Sequence, residues 1–283
     1  MPVPEWGEEE RVREGGSRRQ WSPAGLESAS SAAGPPCLRF VAEPFLDPGG
    51  VPSRSQIAKE PPLSPSDSIL ATRQHLTSEG VVLAVRSEDE RDLVGICRAA
   101  ARGGVRVLEL TLTTPGALEA IAALAPDGDS LVGAGTVLTV EHAQAVARAG
   151  ARFAMSPVHD AAVLRECEAL GVLFVPGAAS PTEILAAHRD GARLVKVFPS
   201  GPLGGPAFLR RVRGPLPEIP LVPTSGPDAE TIADYVAAGA VAVGVGPDVL
   251  GDGLDLGAIE ERARRVRGAL DRARGLAAAD PVS

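Results

Sequence analysis

Short runs of β-branched and other apolar residues alternate with longer amphipathic segments from about residue 81 onward. The apolar runs at 81–85, 105–112, 131–134, 153–155, 172–175, 194–197, 221–223 and 241–245 predict eight strands. The segments between them predict helices opened by Ser87, Thr114-Pro115, Thr139, His159-Asp160, Ser180-Pro181, Gly205-Pro206 and Pro227-Asp228. Several of these openings pair a capping side chain with a proline suited to a first helical turn. Ser66-Asp67-Ser68 predicts the cap of one more short helix ahead of the first strand, running to about His75. A final helix is predicted over 256–274. Its Glu260, Glu261, Arg262, Arg264, Arg265 and Arg267 read as a solvated, ion-paired outer face.

Eight strands, each followed by a helix and recurring at intervals of roughly 20 to 30 residues, predict an α/β fold of the closed (β/α)8 barrel type. A doubly wound open sheet is the competing architecture, but eight units with no second domain favour closure. The barrel is expected over residues 67–275, with a frayed tail at 276–283. Residues 1–66 carry charge clusters, a Ser/Ala/Gly run and Pro61, Pro62 and Pro65, with no sustained apolar period, so they read as a disordered extension.

The bulk numbers narrow the function. The chain has 283 residues, 44% hydrophobic, with a net charge of −8. That balance gives no electrostatic footprint for nucleic acid. No apolar run approaches the ~18 residues of a membrane span, and the start of the chain lacks the apolar core of a signal peptide. The expectation is a cytoplasmic protein without a nucleic-acid or membrane partner. Cys37, Cys97 and Cys167 have no metal or redox spacing, and the four histidines show no paired ligand spacing, so no metal or other cofactor is expected.

The candidate chemistry centres on Lys196, in Leu194-Val195-Lys196-Val197-Phe198-Pro199. It is one of only two lysines among 28 basic residues, the other being Lys59. Arginine neither gives up its proton nor attacks a carbonyl, whereas a desolvated lysine does both. Strand side chains alternate, so Leu194, Lys196 and Phe198 share one side of their strand. Val107, Glu109 and Thr111 share one side of theirs, with Thr113 just beyond. Glu109 is costly to bury without a partner, which makes it the natural companion of Lys196. A plain ion pair would satisfy the same pattern. Gly133-Ala134-Gly135-Thr136 offers a hydroxyl beside an approachable backbone. Pro223-Thr224-Ser225-Gly226-Pro227 and Gly244-Val245-Gly246-Pro247 follow the last two strands, where barrels frequently bind phosphate.

Four stretches, in order, resemble the class I aldolases that cleave 2-keto-3-deoxy-6-phosphogluconate, a family that includes 4-hydroxy-2-oxoglutarate aldolases. They are Gly104-Val105-Arg106-Val107-Leu108-Glu109-Leu110-Thr111-Leu112, Gly133-Ala134-Gly135-Thr136-Val137, Val175-Pro176-Gly177 and Val195-Lys196-Val197-Phe198-Pro199. The resemblance covers roughly residues 70 to 270. It implies an aldehyde-lyase acting on a 2-oxo acid, with Lys196 forming a Schiff base and Glu109 moving protons. Thr136 would hold the pyruvyl carboxylate and Phe198 would pack beside the imine, while Pro176, Ser225, Gly226 and Gly246 would belong to the binding site. A homotrimer is implied as well.

Three departures from the family pattern stand out. Thr113 occupies a position where an arginine usually helps anchor the substrate, and Arg86 at the end of the first strand is the candidate for that charge. Ser225-Gly226 replaces a glycine pair, and Gly246-Pro247 replaces Gly-Ser. The last two changes fall in the phosphate site and predict a weakened preference for a phosphorylated substrate. Two other readings remain open on the residues alone, a non-catalytic barrel that binds a phosphorylated metabolite and an isomerase-type barrel in which Lys196 acts only electrostatically.

Overall fold

The structure, a computed structural model, describes residues 63–87, 92–246, 251 and 255–275. Its strands are β1 (Val81–Val85), β2 (Val107–Thr111), β3 (Leu131–Gly135), β4 (Phe153–Met155), β5 (Leu173–Val175), β6 (Gly177–Ala178), β7 (Val195–Val197), β8 (Leu221–Pro223) and β9 (Val243–Val245). Helices are α1 (Pro65–Glu79), α2 (Leu93–Arg102), α3 (Ala117–Leu124), α4 (Val140–Arg148), α5 (Ala161–Ala169), α6 (Pro181–Arg189), α7 (Gly205–Arg213), α8 (Ile232–Ala237) and α9 (Leu256–Ala273). No helix among the described residues is long and apolar enough to cross a membrane.

Every strand pair is parallel, in the orders β5-β4-β3-β2-β1-β9 and β6-β7-β8. A parallel bridge between Thr224 and Gly244 joins the β8 edge to β9. The other junction is Pro176, the single residue between β5 and β6. Proline has no N–H to give a ladder, so the fifth stave divides there, pairing with β4 before the break and with β7 after it. Counting β5 and β6 as one stave, eight staves close into the expected (β/α)8 barrel.

Strand alternation sorts the core into two compartments. Leu108, Leu110, Val132, Ala134, Val195 and Val197 face outward into the layer beneath the helices. Val82, Val107, Leu131, Phe153, Leu173, Leu194 and Val222 point into the barrel, where Ile69 and Leu76 of α1 pack with them. Helix α1 therefore covers the N-terminal end of the barrel, leaving the C-terminal end for chemistry. Glycine makes room in the interior: a Cβ on Gly133 would sit 2.5 Å from the Phe153 ring.

Several boundaries move from the sequence expectation, each for a visible reason. Helix α1 starts earlier than Ser66-Asp67-Ser68, because Ser64 is the cap, accepting the Asp67 N–H at 3.2 Å with Pro65 in the first turn. It also runs past His75 to Glu79. Thr114 does not open α3, since its hydroxyl is engaged by Ser87 and Thr111; the helix begins at Ala117, after Gly116. Asp92, not Ser87, caps α2. Asp228 spends its carboxylate on a turn with Glu230 and Thr231, delaying α8 to Ile232. Thr139, Asp160 and Ser180 cap their helices as expected, the last in a full capping box with Glu183. The charge run of α9 pairs outward as expected, Arg264 with Glu260 at 2.8 Å and Arg102 with Glu260 at 2.9 Å. Residues 1–62 of the proposed extension, the tail at 276–283 and Pro247 lie outside the described residues.

The barrel packing gives a stability prediction. Gly133→Ala forces a methyl into the Phe153 ring, so the variant should lose about 1–3 kcal/mol in urea unfolding. An unchanged midpoint would show that the interior has slack at this layer.

Candidate active site

Lys196 is the middle residue of β7. Its neighbours Val195 and Val197 pack outward, so strand alternation turns its side chain inward. The Lys196 N–H donates to the Pro176 carbonyl at 2.8 Å, across the break in the fifth stave. Glu109 occupies the interior of β2 in the same way. Its Oε1 stands 3.6 Å from Lys196 Nζ, and the two side chains are 2% and 7% exposed. Glu109 Oε2 is buried with no hydrogen-bond partner among the described residues. Lys196 Nζ also lies 5.2 Å from the centroid of the Phe198 ring, on the apolar side of the amine.

Gly135 makes this arrangement sterically allowable. A Cβ there would stand 2.1 Å from Glu109 Oε1, so the carboxylate occupies the volume of an absent side chain. Gly244 does the same for Thr224, whose Oγ1 is 2.5 Å from the position of a Cβ. Two residues at the C-terminal mouth hold left-handed backbone without being glycine, Thr136 at φ 60° and Ser225 at φ 61°. Such conformations cost about 1–2 kcal/mol in an L-residue, and they collect at functional sites.

A cavity of about 400 Å³ opens over the pair. Of the residues singled out from the sequence, Lys196, Glu109, Phe198, Arg86, Ser225, Gly226 and Gly246 line it. Arg86 is exposed and forms no ion pair among the described residues. Three others lie outside the lining. Thr136 is half-buried, next to the Gly135 that seats Glu109. Pro176 is buried and acts on β7 through its carbonyl. Thr113 is exposed, and its hydroxyl donates to Thr111 at 3.3 Å. Thr111 and Thr224 line the cavity and were not among the sequence candidates. The signal for Thr111 was its parity with Glu109; Thr224 lay inside a stretch singled out for phosphate binding through backbone N–H groups rather than for its hydroxyl.

A larger cleft of about 700 Å³ lies at the N-terminal ends of β2 and β3. Two of its arginines are engaged in ion pairs, Arg98 with Asp127 and Arg102 with Glu260, both at 2.9 Å, and among the described residues no lysine lines it. Burial pushes the Cys97 thiol beside it up to about 12, leaving it unreactive. The smaller cavity therefore holds the amine, the carboxylate and the open approach that carbonyl chemistry needs.

Residues 72–260 match the family model for "KDPG and KHG aldolase". The chain belongs to that aldolase family. Like its relatives it is an aldehyde-lyase. The 2-dehydro-3-deoxy-phosphogluconate aldolase of Treponema pallidum (strain Nichols) is 43% identical over 158 residues, 56% of this chain and 75% of that one. The KHG/KDPG aldolase of Escherichia coli (strain K12) is 32% identical over 201 residues, 70% of this chain and 94% of that one. Among solved structures, a KDPG aldolase from Legionella pneumophila with pyruvate captured at low pH as a covalent carbinolamine intermediate is 28% identical, with a TM-score of 0.63 over 72% of this chain and 98% of that chain.

The seat of Glu109 gives a second prediction. Gly135→Ala should displace the carboxylate by an ångström or more and lower kcat by roughly 10- to 100-fold. A fully active Gly135→Ala enzyme would mean that the position of Glu109 does not matter to turnover.

Proposed function

We propose that the protein is a class I aldolase that cleaves a 4-hydroxy-2-oxo acid to pyruvate and an aldehyde through an imine on Lys196. The substrates in view are 2-keto-3-deoxy-6-phosphogluconate and 4-hydroxy-2-oxoglutarate. The observation that carries the reading is the buried Lys196–Glu109 pair at 3.6 Å beneath an open cavity.

The residues can run a balanced cycle. The free amine of Lys196 adds to the 2-oxo carbon, and Glu109 carries the nitrogen's proton to the new alkoxide. Glu109, holding the proton it took from the Lys196 ammonium, gives it to the carbinolamine hydroxyl, which leaves as water while the nitrogen lone pair forms the iminium. A base takes the proton of the C4 hydroxyl, and the aldehyde forms as the C3–C4 bond breaks. The electrons of that bond pass into the iminium and leave an enamine. Protonation at C3 restores the iminium, and water then releases pyruvate and the amine. Phe198 shields the imine, Thr136 holds the carboxylate beside the 2-oxo group, and Arg86 supplies the positive charge that anchors the substrate. Pro176 holds the Lys196 backbone, while Ser225, Gly226 and Gly246 form the far wall. A homotrimer and a cytoplasmic location belong to the same proposal.

Retro-aldol kinetics test these roles. Lys196→Arg keeps a cation but forms no imine, so turnover should fall to background; substantial turnover would remove the imine from the mechanism. Glu109→Gln should lower kcat by about 10²–10⁴-fold. A wild-type kcat in that variant would make Glu109 a structural partner only.

The far wall also predicts a weak preference for phosphate. Ser225 sits in the left-handed region that glycine adopts freely, and Pro247 has no N–H to offer an anion. A hydrogen bond to a charged group is worth about 1.5–3 kcal/mol. Combining Ser225→Gly with Pro247→Ser should therefore raise kcat/KM for the 6-phosphorylated substrate roughly 10-fold or more. Cleavage of 4-hydroxy-2-oxoglutarate should barely change. A wild-type enzyme that already favours the phosphorylated acid by several orders of magnitude contradicts this prediction.

A further inference from the structure

Arg86 lies one residue beyond β1, where the sheet no longer holds it. The β1–β2 register ends with Val85 opposite Leu110. The next described tie between the two strand ends is made by a side chain: the Ser87 N–H donates to Thr114 Oγ1 at 3.1 Å. Thr114 is 3% exposed and does not line the cavity. Its Oγ1 is also 3.0 Å from Thr111 Oγ1. Thr111 is 2% exposed, lines the cavity and stands two residues past Glu109 on the same face of β2. A hydroxyl has one proton and two lone pairs, so Thr114 can accept from Ser87 and exchange one bond with Thr111 in either direction. This buried hydroxyl pair connects the strand carrying Glu109 to the residue next to Arg86.

We infer that Thr114 is a positioning residue that holds Arg86 over the cavity by accepting the Ser87 N–H. The inference rests on the reading of Arg86 as the substrate's anionic anchor. Removing the hydroxyl takes one acceptor from the Ser87 N–H and loosens the link between the end of β1 and β2. Arg86 then has to be ordered by the substrate at each binding event. The cost appears in binding, because the Glu109 carboxylate is seated over Gly135 of β3 and Lys196 is carried by β7, neither of which Thr114 bonds to. The Thr111 hydroxyl keeps its bond from Thr113.

Thr114→Ala and Thr114→Ser remove the same methyl group, but only the first removes the hydroxyl, so the pair separates hydrogen bonding from packing. With 4-hydroxy-2-oxoglutarate as substrate, Thr114→Ala should raise KM about 3- to 10-fold, the scale of one intramolecular hydrogen bond. Its kcat should stay within about twofold of wild type, and Thr114→Ser should retain the wild-type KM. Arg86→Ala should raise KM further, and adding Thr114→Ala to it should change nothing more. Urea unfolding of both Thr114 variants registers any stability loss they share, which leaves the Ala–Ser comparison intact. If the two KM effects multiply in the double variant, or if Thr114→Ser is as impaired as Thr114→Ala, the positioning role is overturned. If Arg86→Ala leaves KM unchanged, the anchor reading of Arg86 fails, and the role of Thr114 falls with it.

Discussion

Placing an amine and a carboxylate inside a parallel barrel is the constraint on which the rest of the structure depends. Each charge leaves water at a cost of roughly several kcal/mol, and their attraction offsets this only when geometry and hydrogen bonding are good. Here the closest approach is 3.6 Å, and among the described residues Glu109 Oε2 has no hydrogen-bond partner. A pair kept for stability would close that distance. The looser arrangement suits a carboxylate that must exchange protons with a substrate. The apolar layers below it, from Phe153, Leu173 and Leu194 to Ile69 and Leu76 of α1, supply the stability that the upper layer does not.

The site is shaped as much by missing side chains as by present ones. Gly135 yields its volume to Glu109 and Gly244 to Thr224, while Gly133 one layer lower yields to Phe153. The chain then bends sharply at the mouth, where Thr136 and Ser225 accept left-handed backbone that their side chains disfavour. Pro176 adds a break in the ladder and turns its carbonyl to the Lys196 N–H. Packing fixes the lower barrel, and local backbone constraints fix the upper rim.

Much of this was legible from periodicity. The segments 153–155 and 221–223 appear with the bounds the sequence implied, because turn residues flank them closely. The two-residue repeat also puts Lys196 and Glu109 on the interior, where both are buried, and the family resemblance points to the same two residues. What stayed hidden depends on how short polar side chains choose between local partners. Thr114 resembles a helix cap in sequence, yet it binds Ser87 and Thr111 across the strand ends. Asp228 resembles a helix opening, yet it closes a turn first. Thr113 occupies an anchoring position in the sequence pattern, but it bonds to Thr111 and lies outside the cavity lining. Pattern counts do not resolve such choices, because the competing hydrogen bonds are of similar strength.

The central claim is that the Lys196 amine becomes covalently bound to a 2-oxo acid. Borohydride reduction of the full-length protein in the presence of pyruvate, followed by peptide mass analysis, reads this directly. The account predicts one reduced pyruvyl group per chain, located on the peptide containing Lys196 and absent without pyruvate. An unmodified Lys196 peptide under those conditions, in a preparation that turns substrate over, would contradict it.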